Sequence, residues 1–322
     1  MTVSSIVVVG ATGLLGEAVI GLLGRRDDLG VEVVALASAR SVGKRVQFGE
    51  RLLKVRDQAG FEFADGQLVM LCVPAKIAAK LLPRLREAGA TVLDFSGSMQ
   101  AGKPALPWIA GGRIEAGAKE LRAASAVSVH VASAVEAIGE LAGIVDLRVA
   151  VIQAVSGRGQ RGVAELAGQA ARLLNAQPFE HKVFPAQIAF NALPDFDVDR
   201  DVADLASLLS LDEAAVSVAR SWASIFHGQA VQVEVVTREP VDADALIAIW
   251  RENPRLEVES GTTLSPVADG SQADVVNIGG LRVRAYPGGG SRVSYWSVTD
   301  EVRFASAANG IAIGESLIKP RQ

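Results

Sequence analysis

A chain of 322 residues is too long for one average domain and suits two. Apolar residues at 49 % supply enough side chains for two cores, and 21 % charged residues argues against disorder. The net charge of −4 argues against nucleic acid or an anionic membrane as partner, and a single Cys excludes an internal disulfide or a cysteine-based metal cluster. No run approaches the roughly eighteen apolar residues that span a bilayer, and the first strand begins almost at Met1, so a soluble cytoplasmic protein is expected.

Residues 6–9 are four β-branched residues in a row, which predicts a strand buried on both faces. Gly10, Ala11, Thr12, Gly13, Leu14, Leu15 and Gly16 follow, with glycines at steps of three, and an apolar helical pattern covers residues 14–23. A helix opening at such a turn aims free N–H groups and its positive dipole end at a pyrophosphate. An ordinary strand–turn–helix with glycines for packing is the alternative. Residues 31–37 predict a second strand. A cofactor without a 2′-phosphate meets an acidic side chain after this strand, whereas Ser38, Arg40 and Ser41 offer hydroxyls and a cation. NADP is therefore expected over NAD, with a solvated basic turn as the alternative.

A strand over 67–73, a helix over 75–88 and a strand over 91–95 continue the alternation. The class implied is α/β, a Rossmann-type doubly wound, mostly parallel sheet. A helix is predicted over 131–144. From Leu147 the strand-like runs lengthen, over 147–155, 229–236, 280–285 and 291–298. They predict an α+β domain with a mostly antiparallel sheet and few helices to cover both faces. One apolar helix over 301–319 would return to the first domain. The expected division is 1–128 with 301–322 for cofactor, and 129–300 for dimerisation and substrate.

The glycine turn, the stretch from Ala37 to Lys44, Gln153-Ala154-Val155-Ser156-Gly157, Ile188 to Pro194, Arg220 to Val233 and the last helix with Asn309 resemble, in order, the aspartate-semialdehyde dehydrogenase family. The resemblance implies a homodimer binding NADP and a small aldehyde or amino-acid-like ligand, in which a Cys thiolate attacks the substrate carbonyl and phosphate exchanges with the thioester. It assigns Gln153 to orienting the intermediate, His227 to acid–base work and Arg220, seven residues earlier, to the substrate carboxylate. At the place of the family Cys it puts His130, read as a helix-opening residue. At the phosphate-binding Arg it puts Gln100 or Met99, and Val73-Pro74-Ala75-Lys76 replaces the glycine-rich loop beside the nicotinamide. Cys72, inside a strand, reads as an inert buried thiol. The pattern resembles the divergent Usg-type branch, implying a protein without the standard acylating activity. An active NADP-dependent oxidoreductase on an altered aldehyde, or a non-catalytic dimeric binding or regulatory protein, are the other readings.

Overall fold

The computed structural model describes residues 3–26, 30–99, 101–259 and 263–318. Its contacts divide the chain into two compact units, residues 1–125 with 306–322 and residues 126–305.

In the first unit the strands are β1 (Ser5–Val9), β2 (Glu32–Ala37), β3 (Arg45–Phe48), β4 (Arg51–Lys54), β5 (Arg56–Asp57), β6 (Gln67–Leu71), β7 (Thr91–Asp94), β8 (Pro104–Ala105) and β9 (Glu120–Ala123). Seven of them form one sheet in the order β5-β2-β1-β6-β7-β9-β8. Every pairing in it is parallel. β3 and β4 form a separate hairpin. All five side chains of β1 are buried, as a strand covered on both faces requires. Ile6 and Val8 join Val19 and Ile20 of helix α1 (Leu14–Leu23) in one core cluster. Val7 and Val9 join Leu81, Leu82 and Leu85 of helix α2 (Ala75–Glu87) in another. The doubly wound class is therefore as expected.

The second unit opens with helix α3 (Ala126–Ala142) and strand β10 (Ile144–Gln153). Helix α4 (Gly159–Leu174), β11 (Ala192–Asp195), α5 (Asp199–Leu209), β12 (Val216–Ala223) and β13 (Gln229–Thr237) follow. Then come α6 (Ala243–Glu252), β14 (Leu256–Val258), β15 (Val276–Ala285) and β16 (Ser291–Thr299). The strands form one sheet in the order β11-β12-β10-β13-β16-β15-β14. Only the β10–β12 and β14–β15 pairs are parallel. Along β10, Leu147, Val149, Val151 and Gln153 are buried while Arg148 and Ala150 are exposed. The helices thus crowd one face, where α6 is tied to α3 by the Trp250 indole N–H donating to the Ala134 carbonyl at 2.9 Å.

Three expectations need correction. The helix predicted over 131–144 begins at Ala126 and ends at Ala142, because Gly143 at φ +61° stops it and Ile144 already belongs to β10. Val127, Val129 and Val131 alternate like a strand, but burial of nearly every side chain from 127 to 135 overrides that preference. The single helix over 301–319 is a wide turn (Arg303–Ala308) followed by α7 (Asn309–Ile318), because the Asp300 carboxylate takes the Val302 and Arg303 N–H groups and bends the chain first. Lys319 lies outside the described residues. The second unit is also not short of helices: α4, α5 and α6 are amphipathic and charged, so their pattern was missed between the longer strands.

Candidate functional site

The first unit builds its candidate site from backbone. Gly10 turns the chain at φ +91°, and its N–H and that of Ala11 both donate to the Leu36 carbonyl at 2.9 Å. A Cβ at Gly10 would lie 2.3 Å from the Cys72 carbonyl oxygen, and one at Gly16 would lie 2.2 Å from the Gly10 carbonyl oxygen. Only glycine permits this approach, which brings the start of α1 hard against the end of β1. Gly13 leads into Leu14 and Leu15, and no side-chain hydrogen bond caps the helix at Gly13, the arrangement that leaves first-turn N–H groups available to an anion. The Thr12 hydroxyl donates to Ser41 Oγ at 3.2 Å, bringing the glycine turn and the turn after β2 together. Ser38 and Arg40 on that second turn are exposed. Within the same unit Asn309 is fully buried; its amide donates to the Ala105 carbonyl at 3.1 Å while its Oδ1 has no partner among the described residues. The glycine turn by itself fits the pyrophosphate of a dinucleotide. Gln100 lies outside the described residues. Asp94 gathers the N–H groups of Ser96 and Met99 at 2.8 Å, and the Met99 side chain is buried.

The second unit builds its candidate site from side chains. His130 is the fifth residue of α3, not its opening residue, and is 0 % exposed. Its Nδ1 meets Gln229 Oε1 and its Nε2 meets Ser297 Oγ, both at 3.0 Å. Since Oε1 only accepts, Nδ1 carries the proton and Nε2 accepts from the Ser297 hydroxyl. Burial pushes the imidazole pKa down to about 4, with the Gln229 bond pulling weakly the other way. Gln229 Nε2 in turn donates to Gln153 Oε1 at 2.6 Å. Gln153, Gln229 and Ser297 sit on the helix-covered face of three adjacent strands, so a continuous polar chain crosses that face: Ser297, His130, Gln229, Gln153.

Arg220 stands apart from this chain. Its Nε donates to Asp195 Oδ2 at 3.0 Å, Nη1 to Asp201 Oδ2 at 2.5 Å and Nη2 to the Asp197 carbonyl. All three nitrogens of its fork are taken by the residues joining β11 to α5. His227 lies in the turn between β12 and β13, half-buried, and makes no hydrogen bond with a described residue. The next residue, Gly228, donates its N–H to the Glu301 carboxylate at 3.2 Å, and the Ser156 hydroxyl donates to the other oxygen. Burial pushes Glu301 up to about 7; the Ser156 bond opposes the rise and Asp300 adds to it. Cys72 is half-buried after β6, and burial pushes its thiol up, away from the thiolate. Among the described residues no group of His, Cys, Asp or Glu suits a metal ion.

Sequence reasoning missed Gln229, Ser297, Ser156 and Glu301. Gln229 carried a readable signal, a polar residue on the inward row it shares with Val231, Val233 and Val235, whereas Ser297 shares its inward row with Ser291 and Thr299 and stands out less. Glu301 carried none, since its burial depends on where the chain bends after β16.

Known proteins match along the whole length. The model of the semialdehyde dehydrogenase NAD binding domain matches residues 5–135, and that of the semialdehyde dehydrogenase dimerisation domain matches residues 136–304. A USG-1 protein homolog of Pseudomonas aeruginosa is 33 % identical over 98 % of both chains. Aspartate-semialdehyde dehydrogenase 2 of Vibrio cholerae is 28 % identical over 98 % of both. The crystal structure of aspartate semialdehyde dehydrogenase II of Vibrio cholerae, complexed with ASA, superposes with a TM-score of 0.91 at 28 % identity and covers 100 % of both chains. Two family models side by side, a relative one-third identical and a shared two-unit fold place this chain in the aspartate-semialdehyde dehydrogenase family, with an NAD(P)-binding Rossmann unit and a dimerisation unit.

Proposed function

We propose that this chain is a homodimeric, cytoplasmic, NADP-binding member of its family that does not carry out the acylating reaction. The observation that carries the reading is His130. At the place read as that of the nucleophile, a fully buried imidazole has both nitrogens engaged and is neutral across the physiological range. Attack on a carbonyl needs an exposed lone pair, and here Nε2 already accepts from Ser297. The thiol of Cys72 is no substitute, since burial disfavours its thiolate.

A second reading draws on Arg220 and His227 together. A guanidinium whose Nε, Nη1 and Nη2 each already serve an aspartate or a carbonyl keeps only two of its five N–H groups, and its charge is already matched by two carboxylates, so it is poorly placed to grip a substrate carboxylate. His227, half-buried and without a hydrogen bond to a described residue, is free to meet a ligand oxygen. This pair supports an oxidoreductase acting on an aldehyde that lacks the amino-acid carboxylate, with His227 giving the proton to the carbonyl oxygen. When bound, the nicotinamide would supply the hydride. Gln153 would orient the ligand through its remaining amide N–H groups while Gln229 fixes its carbonyl.

For the cofactor, the glycine turn, Thr12 with Ser41 and exposed Arg40 support NADP; for the dimer, the sheet face bearing Arg148, Ala150 and Gln232 offers a surface for a second copy. The test is a fluorescence titration with NADPH and NADH beside sedimentation at micromolar concentration. Tighter binding of NADPH and a mass of two chains are expected. Equal binding of both cofactors overturns the NADP preference, and a monomer overturns the dimer.

A further inference from the structure

We propose that Glu301 is a positioning residue whose two carboxyl oxygens hold the turn bearing His227 against the turn that follows Gln153, and that gaining a proton loosens this hold. The functional meaning rests on the reading of His227 as the acid of the site, but the geometry stands without it. Glu301 is 2 % exposed and follows β16 directly. One oxygen accepts the Gly228 N–H at 3.2 Å, and the other accepts the Ser156 hydroxyl, three residues beyond Gln153. Gly228 cannot slide away on its other side: its φ is +92°, and a Cβ there would lie 1.9 Å from the Pro266 carbonyl oxygen. The stretch leading into this turn is also tied by backbone, the Val155 and Ser156 N–H groups donating to the Ile225 and Phe226 carbonyls at 2.9 and 3.2 Å, and the carboxyl adds the hold at Gly228 itself.

The charge on that carboxyl decides how firmly. An ionised carboxylate accepts from Gly228 and Ser156 in charge-assisted bonds, about twice as strong as neutral ones. Taking up one proton from solvent leaves neutral bonds, and the carboxyl gains an O–H that must itself find an acceptor. Burial places this change near neutral pH. The other charged groups around it do not cancel that. Asp300, adjacent in the chain, pushes the same way, and Arg303 is engaged with Asp274. Arg158, on the turn holding Ser156, lies over the Trp222 ring at 4.8 Å, and Asp269, near Pro266, accepts from the Ser265 N–H at 2.6 Å. His227 itself is the remaining titratable group on the turn.

Of the three histidines in the chain, only His227 is followed by glycine. Labelling His carbonyl carbons with ¹³C and Gly nitrogens with ¹⁵N therefore yields a single correlated amide signal, that of Gly228, in the full-length protein. The Gly228 amide proton is expected to move downfield as pH rises, with a midpoint near 7. In Glu301→Gln that movement is lost, and in His227→Gln, with the ¹³C label moved to the Gln carbonyls because no other Gln precedes a glycine, it persists. A signal that titrates unchanged in Glu301→Gln, or is static in His227→Gln, overturns the proposal. Because the readout needs no turnover, an inactive protein with a titrating signal refutes only the reading of His227 as an acid. The reverse result refutes only the role of Glu301.

Discussion

The two units hold their candidate sites in different material. In the first, the candidate cradle is made of N–H groups at the head of α1, and the glycines at 10, 13 and 16 serve by lacking side chains. In the second, everything depends on side chains at single positions: His130, Gln153, Arg220, His227 and Glu301. A backbone site survives drift so long as the turn stays tight, because most substitutions elsewhere leave the N–H groups in place. A side-chain site is rewritten by one replacement. One fold can therefore keep a nucleotide cradle while its chemistry is exchanged for packing.

The largest effects should come from attacking the material of each site. Gly10→Ala forces a Cβ into the Cys72 carbonyl at positive φ and should cost at least about 3 kcal/mol, with cofactor binding lost. Arg220→Ala should cost about 3–5 kcal/mol, since Asp195 and Asp201, both nearly buried, would lose their counter-charge. Urea denaturation measures both. An Arg220→Ala protein as stable as the parent would show that the fork is available to a ligand after all.

Next in size is pH dependence, where the two buried groups of the second unit oppose each other. His130 is depressed from 6.5 to about 4, so its neutral form is the stable one, and stability is lost as pH falls from 6.5 through 4. Glu301 is raised from 4.5 to about 7, so its contribution is present below 4.5 and lost as pH rises through 7. Each is worth on the order of 3 kcal/mol at its limit. Between pH 4.5 and 6.5 the two slopes should nearly cancel. Denaturation midpoints of Glu301→Gln should then rise with pH over that window, and those of His130→Asn should fall. Parallel curves for both variants would contradict the assigned environments.

Much of the first unit was legible because its determinants are local: four β-branched residues and three glycines specify strand, turn and helix at one place. The second unit was legible in class, and His130 and Gln153 stood out as candidates, but the residues that join them did not. Gln229 joins His130 from 99 positions away and Ser297 from 167, and no local pattern announces such a meeting. Arg220 shows the same limit: its spacing to His227 is visible in the chain, but its capture by Asp195 and Asp201 depends on how β11 turns into α5.

A smaller effect concerns the cofactor phosphate. Arg40 is exposed, so Arg40→Asp should shift the ratio of NADPH to NADH affinity only about tenfold, because screened surface charges contribute little over 1 kcal/mol. An unchanged ratio would assign the preference to Ser38 and Ser41 alone.

The most direct test of the proposal that the acylating chemistry has been lost is the rate of phosphate- and NADP-dependent oxidation of aspartate semialdehyde by the unmodified protein and by His130→Cys. The unmodified protein should show no rate above the blank. His130→Cys should gain trace activity at best, since the new thiol would sit in a buried pocket and leave Gln229 and Ser297 without their partner. Robust turnover by the unmodified protein, unaffected by thiol alkylation, would show that a working site has been mistaken for packing.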